Sequence, residues 1–192
     1  MQRRSRPVFW HVAINLFDDL VEHLGPEAFP FCDDFVPCLL ECLSYPEPDL
    51  RQSALFGVGN MAAKGGPLFR EHVTKGLPLL YAAVASPEAH SSKHVLATEN
   101  AIASIVRVFR AGMGDRSMEE FVKGLLSLPA MCHDTIECKY VYDYLLGLAE
   151  EGSALLAPHT AQLQTWLARA TEAGMLDEPL LQRVAALRLP AP

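Results

Sequence analysis

A small residue returns at Ala13, Ala54, Ala97 and Cys138, at steps of 41, 43 and 41 residues. Around three of these positions one apolar pattern recurs. The central copy reads Leu50, Ala54, Gly57, Val58, Met61 and Ala62. The first reads Phe9, Ala13, Leu16, Phe17, Leu20 and Val21, and the last Asp134, Cys138, Val141, Tyr142, Leu145 and Leu146. Positions i−4, i, i+3, i+4, i+7 and i+8 share one helix face, so each copy predicts an amphipathic helix with one buried side. The copy at Ala97 is less regular: Lys93, Ala97, Asn100, Ala101, Ser104 and Ile105, with Val95, Ile102, Val106 and Phe109 on other faces. That spread predicts a helix enclosed by its neighbours, or one displaced in register.

A second helix precedes the copies at Ala54 and Ala97. Pro37 and Pro78 lie 41 apart inside them. An interior proline removes a hydrogen bond and bends a helix, so its recurrence predicts a tolerated kink. Short polar breaks at 44–49, 65–67, 86–92 and 112–117 separate the helices, with Asp49 and Ser91 or Ser92 as expected N-caps. Two more amphipathic stretches cover 157–171 and 179–187. A period of about 40 to 47 residues with two helices per unit marks HEAT or armadillo-type repeats. The expected fold is all-α: a HEAT-repeat, armadillo-like α-α superhelical solenoid of about nine helices and four repeats. Its units are 7–24, 26–64, 67–112 and 117–151 with C-terminal helices at 153–189, in one segment, 1–192. The first helix reads as the second member of a unit whose first helix is missing. Stacks of this kind present a long surface to partners, so binding is expected rather than catalysis.

Composition narrows the classes. Half of the 192 residues are hydrophobic, enough for a substantial core. There is no run of 18 uncharged apolar residues to span a membrane. The start, Met1 to Arg6, is basic, but His11, Asn15, Asp18, Asp19, Glu22 and His23 follow, which suits an amphipathic helix and not a signal peptide. Five cysteines, three of them (Cys38, Cys42 and Cys138) in helical patterns, point to a reducing compartment, cytosol or nucleus. A net charge of −7 disfavours nucleic acid and favours basic partners.

Catalytic and metal motifs fail on context. Gly57-x-Gly59-x-x-Ala62 imitates a dinucleotide fingerprint, but that motif needs a preceding strand, so the small residues are expected to permit close helix packing. Cys32, Cys38 and Cys42, and Cys132, His133 and Cys138, lack the paired spacing of zinc sites and read as structural thiols. His90 and His94, at the start of a helix, have no carboxylate in the intervening turn and make a weak metal pair. No catalytic residue, metal site or cofactor is expected.

Three segments carry a family resemblance: Asn15-Leu16-Phe17-Asp18-Asp19-Leu20-Val21-Glu22, then Asp49-Leu50-Arg51-Gln52-Ser53-Ala54-Leu55-Phe56-Gly57-Val58-Gly59-Asn60-Met61-Ala62 with Gly65-Gly66, then Ala97-Thr98-Glu99-Asn100-Ala101-Ile102. In this order they resemble the C-terminal repeats of karyopherin-β receptors, the importin-β superfamily, of the type that imports ribosomal proteins and histones. The resemblance covers about residues 8–109 and thins beyond Gly112. It implies a HEAT superhelix shuttling between cytoplasm and nucleus, with basic cargo proteins or nuclear localisation signals on its concave face. It also implies release by GTP-bound Ran, met only through upstream repeats absent from this sequence.

In that family the second helix of each unit lines the concave side. The outward positions are then His11, Asn15, Asp18 and Glu22, with Asp19 at the edge; Gln52, Phe56 and Ala63, with Asn60 at the edge; Glu99; and Tyr140 and Asp143, with Tyr144 at the edge. Cargo contact is expected at Asn15, Asp18, Glu22, Phe56, Asn60, Glu99, Tyr140 and Asp143. Carboxylates beside aromatics suit Lys- or Arg-rich segments through ion pairs and cation–π contacts. The same pattern also fits an ordinary solvated face. Asn100, on the buried stripe, is expected to bond a neighbouring loop. A HEAT scaffold organising another complex is the alternative reading. A HEAT-like DNA glycosylase would need a basic groove, which the charge opposes.

Overall fold

The computed structural model describes residues 6–187, with side chains from Val8 onward. Met1 to Ser5, most of the basic start, and residues 188–189 of the expected last unit lie outside this range. The described residues form nine α-helices and no strand: α1 Arg6–Leu24, α2 Cys32–Cys42, α3 Pro48–Asn60, α4 Arg70–Val84, α5 Val95–Arg110, α6 Met118–Leu126, α7 Thr135–Glu150, α8 Thr160–Glu172 and α9 Glu178–Ala186. A 3-10 turn, Gly25–Phe31, follows α1, and a π turn, Met61–Gly65, extends α3. The chain divides into two compact units, one ending at Asp115 and one beginning at Arg116. The division falls in the polar break at 112–117.

Glycines end the helices where the sequence changes character. Gly112, at φ 66°, stops α5, and Gly152, at φ 64°, stops α7. In each case the next N–H reaches back five residues, Met113 to the Val108 carbonyl and Ser153 to that of Leu148, both at 3.0 Å. This closes the otherwise unpaired last turn. The starts differ more from expectation. Pro48 opens α3 behind Glu47, leaving Asp49 in the first turn and not at the cap. Ser91 and Ser92 do not cap α5, which begins at Val95; the Ser91 hydroxyl instead donates to the Glu88 carbonyl inside a turn. Ser117 forms a capping box with Glu120 at the head of α6, and Asp134 and Asp177 cap α7 and α9. Pro37 and Pro78 do lie inside α2 and α4, on exposed turns.

In the first unit α3 packs between α1 and α5. Every position of its expected stripe, from Leu50 to Ala62, is buried. The small residues set the approach: a Cβ on Gly57 would collide with the Asp18 carboxyl and Leu39, and one on Gly59 with Ser104. Ser104 Oγ donates to the Leu55 carbonyl at 2.7 Å. The glycines are thus packing residues inside a helix. Helix α5 is enclosed as expected, buried from Val95 to Phe109 except at Leu96.

Helix α1 departs from its pattern. Ile14, Phe17, Asp18 and Val21 are buried, whereas Phe9 is 70% and Leu16 50% exposed. The buried face is turned by about one residue, because α1 rests on α3 along one flank and on α2 and the 25–31 turn along another. Val8, Phe9, Val12 and Leu16 are left as an exposed apolar strip.

The second unit is built on Tyr142 and Trp166, T-shaped at 6.0 Å between centroids. The fully buried Tyr142 hydroxyl lies 3.1 Å from the carbonyls of both Met131 and Trp166, and the Trp166 indole donates to that of Leu128 at 3.0 Å. These side chains satisfy backbone left open by the 127–134 connection. Cys138, Val141, Leu145 and Leu146 of the α7 stripe are buried as expected, and Asp134 serves as the cap. Arg183 ties α9 to α7 through Asp143 and Glu150 at 2.7 and 2.8 Å.

Candidate functional site

One hollow gathers much of the expected surface of the first unit. His11, Asn15, Asp18 and Asp19 of α1 line it with Asp49, Gln52, Ser53 and Phe56 of α3 and Asn100 of α5. The three carboxyls are those of Asp18 and Asp19, adjacent on α1, and of Asp49 in the first turn of α3. Two bonds fix the register of α1 on α3: Ser53 Oγ to His11 Nε2 at 3.2 Å, and Asn60 Nδ2 to the Asp18 carbonyl at 2.8 Å.

Asp18 is the unusual member. The sequence put it on an outward face, but it is only 6% exposed. Its Oδ1 meets no hydrogen-bond donor among the described residues and lies against Gly57. Burial, then the charges of Asp19 and Glu22, raise its pKa well above the ordinary carboxylate range. Removal from water without a donor disfavours the ionised form, and two like charges one helical turn or less away add to that.

Two further expectations are corrected. Asn60 is 3% exposed and spent on the Asp18 carbonyl. Glu99 is also 3% exposed, because α5 is covered on nearly every side. Asn15 and Glu22 are exposed and Phe56 is half-buried, as a contact surface requires. The Arg107 guanidinium sits 5.2 Å over the Phe56 ring, so one face of the aromatic already carries a cation. Asn100 donates to the Leu96 carbonyl of its own helix at 3.0 Å. Tyr140, half-buried, and Asp143 belong to the second unit, where Asp143 is paired with Arg183. Neither the Asp18 burial nor the Arg183 pairing could be found from helical spacing, since both depend on how one helix rolls on another.

The histidine and cysteine groups show no metal geometry. Arg51 Nη2 lies 2.6 Å from His94 Nδ1. Arginine only donates, so Nδ1 accepts and its lone pair is taken. His90 and His94 also precede the helix instead of starting it. Burial, then Asp33, pushes the Cys32 thiol up to about 11, and burial, then Cys38 and Glu41, pushes the Cys42 thiol to about 12, so both stay protonated. No group of three His, Cys, Asp or Glu among the described residues could hold a metal ion, and no described helix is long and apolar enough to cross a membrane.

Comparison with known proteins gives a consistent answer. No family model matches the chain. In sequence it is 25% identical to human importin-4 over 114 residues, 59% of this chain and 10% of that one. It is 30% identical to a probable importin-5 homolog of Dictyostelium discoideum over 50% of this chain and 9% of the relative. It is 22% identical to importin subunit beta-3 of Saccharomyces cerevisiae over 79% of this chain and 14% of the relative. The chain therefore spans about a tenth of the length of the importins it matches. In fold it superposes on Kap121p bound to RanGTP with a TM-score of 0.78 at 18% identity, over 95% of this chain and 17% of that one. On Kap121p bound to Ste12p the score is 0.73 at 18% identity, over 93% of this chain and 16% of the other. The fold is a HEAT-repeat solenoid like that of the Kap121p karyopherin structures, and in sequence the chain is similar to importins over part of its length.

Proposed function

We propose that this chain is a cargo-binding segment of a nuclear import receptor, acting without catalysis on basic segments of proteins that move between cytoplasm and nucleus. The hollow between α1 and α3 carries this reading: three carboxyls and one face of an aromatic ring are gathered where a lysine or arginine chain can lie. Exposed carboxylates set the rate and specificity of such capture more than its final affinity. The solved Kap121p complexes with RanGTP and with Ste12p are complexes of that protein. Asn15, Glu22 and Phe56 remain the contact residues, joined by Asp19 and Asp49; Asp18 forms the floor. In the second unit Tyr140 stays a candidate contact, and Asp143 acts only if Arg183 yields it.

The test is binding of a fluorescent lysine-rich peptide to the purified chain at low and physiological salt. Affinity should fall with salt, as expected for exposed charges within a Debye length. Asp19→Asn with Asp49→Asn should weaken it by about tenfold, or roughly 1.4 kcal/mol. Equal affinity for the double variant and the parent would remove the hollow from the binding surface. One observation favours a scaffold instead, the exposed strip of Val8, Phe9, Val12 and Leu16, which suits a folded partner better than a basic peptide.

A further inference from the structure

Asp18 is costly where it lies. A carboxyl that is 6% exposed, with Oδ1 facing Gly57 and accepting from no described donor, has no internal partner for its ionised form. Its surroundings offer none on any side. On α1, Asp19 and Glu22 repel it and His11 bonds Ser53. On α3, Asp49 is the charged residue of the hollow, beside uncharged Gln52, Ser53 and Phe56. Leu39 of α2 also approaches Gly57, and Asp33, Asp34 and Glu41 of that helix are exposed. Glu27 of the 25–31 turn and Lys64 of the π turn are exposed as well. From α5 come Asn100 and two buried charged residues, Glu99 and Arg107, the latter over Phe56. Only Asp19 and Glu22 act on Asp18 through their charge, and both oppose its ionisation. Asp18 is itself one of the residues that line the hollow.

We propose that the hollow takes a lysine or arginine side chain of its partner in exchange for the proton of the Asp18 carboxyl, which makes capture proton-linked. The step balances simply. The O–H bond of the neutral acid breaks, its electron pair stays on the oxygen, the proton passes to water, and the arriving ammonium or guanidinium supplies the missing donor and charge. A neutral acid offers a cation little; a carboxylate in a low-dielectric floor offers much more. Binding therefore pulls the ionisation, and higher pH pulls the binding. The inference rests on the hollow being the cation-accepting surface proposed above, and adds a stoichiometry that the surface alone does not require.

The experiment is calorimetric titration of the whole chain with a lysine-rich peptide, at one pH in two buffers of different ionisation enthalpy, repeated across a pH series. The parent should release protons on binding, with affinity rising by up to about tenfold per pH unit where Asp18 titrates. Asp18→Asn, of nearly the same size, should bind with fewer protons released and a flatter pH profile. His11→Gln, run alongside, removes the imidazole of the hollow and should leave the Asp18 difference in place. Measurable binding with equal proton release in the parent and Asp18→Asn would overturn the linkage while leaving the cation surface standing. Absence of binding in folded samples of all three would overturn both.

Discussion

Ionising Asp18 means placing a buried charge against Gly57 with Asp19 and Glu22 beside it on the same helix. The folded state holds its pKa above the unfolded value, so its favourable contribution is complete below the unfolded carboxylate range. That contribution is lost as pH rises through the folded value. Asp18→Asn should therefore stabilise the first unit at pH 7 by about 1–3 kcal/mol, with the gain vanishing toward pH 4. Urea melts across pH would show it, and a constant gain at every pH would assign the effect to packing. Gly59 gives a prediction of opposite sign. Alanine there is normally worth about 1 kcal/mol to a helix, but its Cβ would fall 2.7 Å from the Ser104 backbone. Gly59→Ala should cost about 1–3 kcal/mol overall, measured by the same melts; a stabilised variant would mean that α5 can move aside. The Gly57–Gly59 spacing was legible as close packing from the sequence. The orphan carboxyl was not, because a one-residue roll of α1 changes an outward position into a floor.

Among the elements, the periodic stripe was most legible where a helix has neighbours on both flanks. The α3 stripe is buried throughout, and α5 is covered almost completely. In α7 the pattern also held, since five of its six stripe positions are buried and the sixth is the cap. It failed on α1, which rests on α3 along one flank and on α2 and the 25–31 turn along another, and turns Ile14 and Asp18 inward while leaving Phe9 and Leu16 out. Helix starts were least legible: Asp49 and the serines at 91–92 have capping side chains, but Pro48 and the turn before Val95 decide where α3 and α5 begin. The α6 capping box went unread although Ser117 and Glu120 carry its spacing. In the second unit Tyr142→Phe should cost about 1–2 kcal/mol, since the carbonyls of Met131 and Trp166 lose a buried donor. Denaturant melts of that variant would check it, and no loss would mean that water replaces the hydroxyl.

At the scale of the whole molecule, the fold class follows from the period alone, and the comparisons add a likeness to importins. Function needs more, because helical repeats of this kind serve many partners. The acidic balance fits basic cargo, while the apolar strip on α1 fits a second folded surface. That strip gives its own prediction: Phe9→Ser with Leu16→Gln should lower self-association in sedimentation without lowering the melting temperature by more than a few degrees. These side chains are mostly in water. A large drop in melting temperature would show the strip to be core. The most direct test of the central claim is where a basic peptide lands. Amide NMR spectra of the isotopically labelled chain, titrated with a lysine-rich peptide, should shift at Asn15, Asp19, Gln52 and Phe56 around the hollow. Shifts confined to the α1 strip from Val8 to Leu16, or to the second unit, would contradict it.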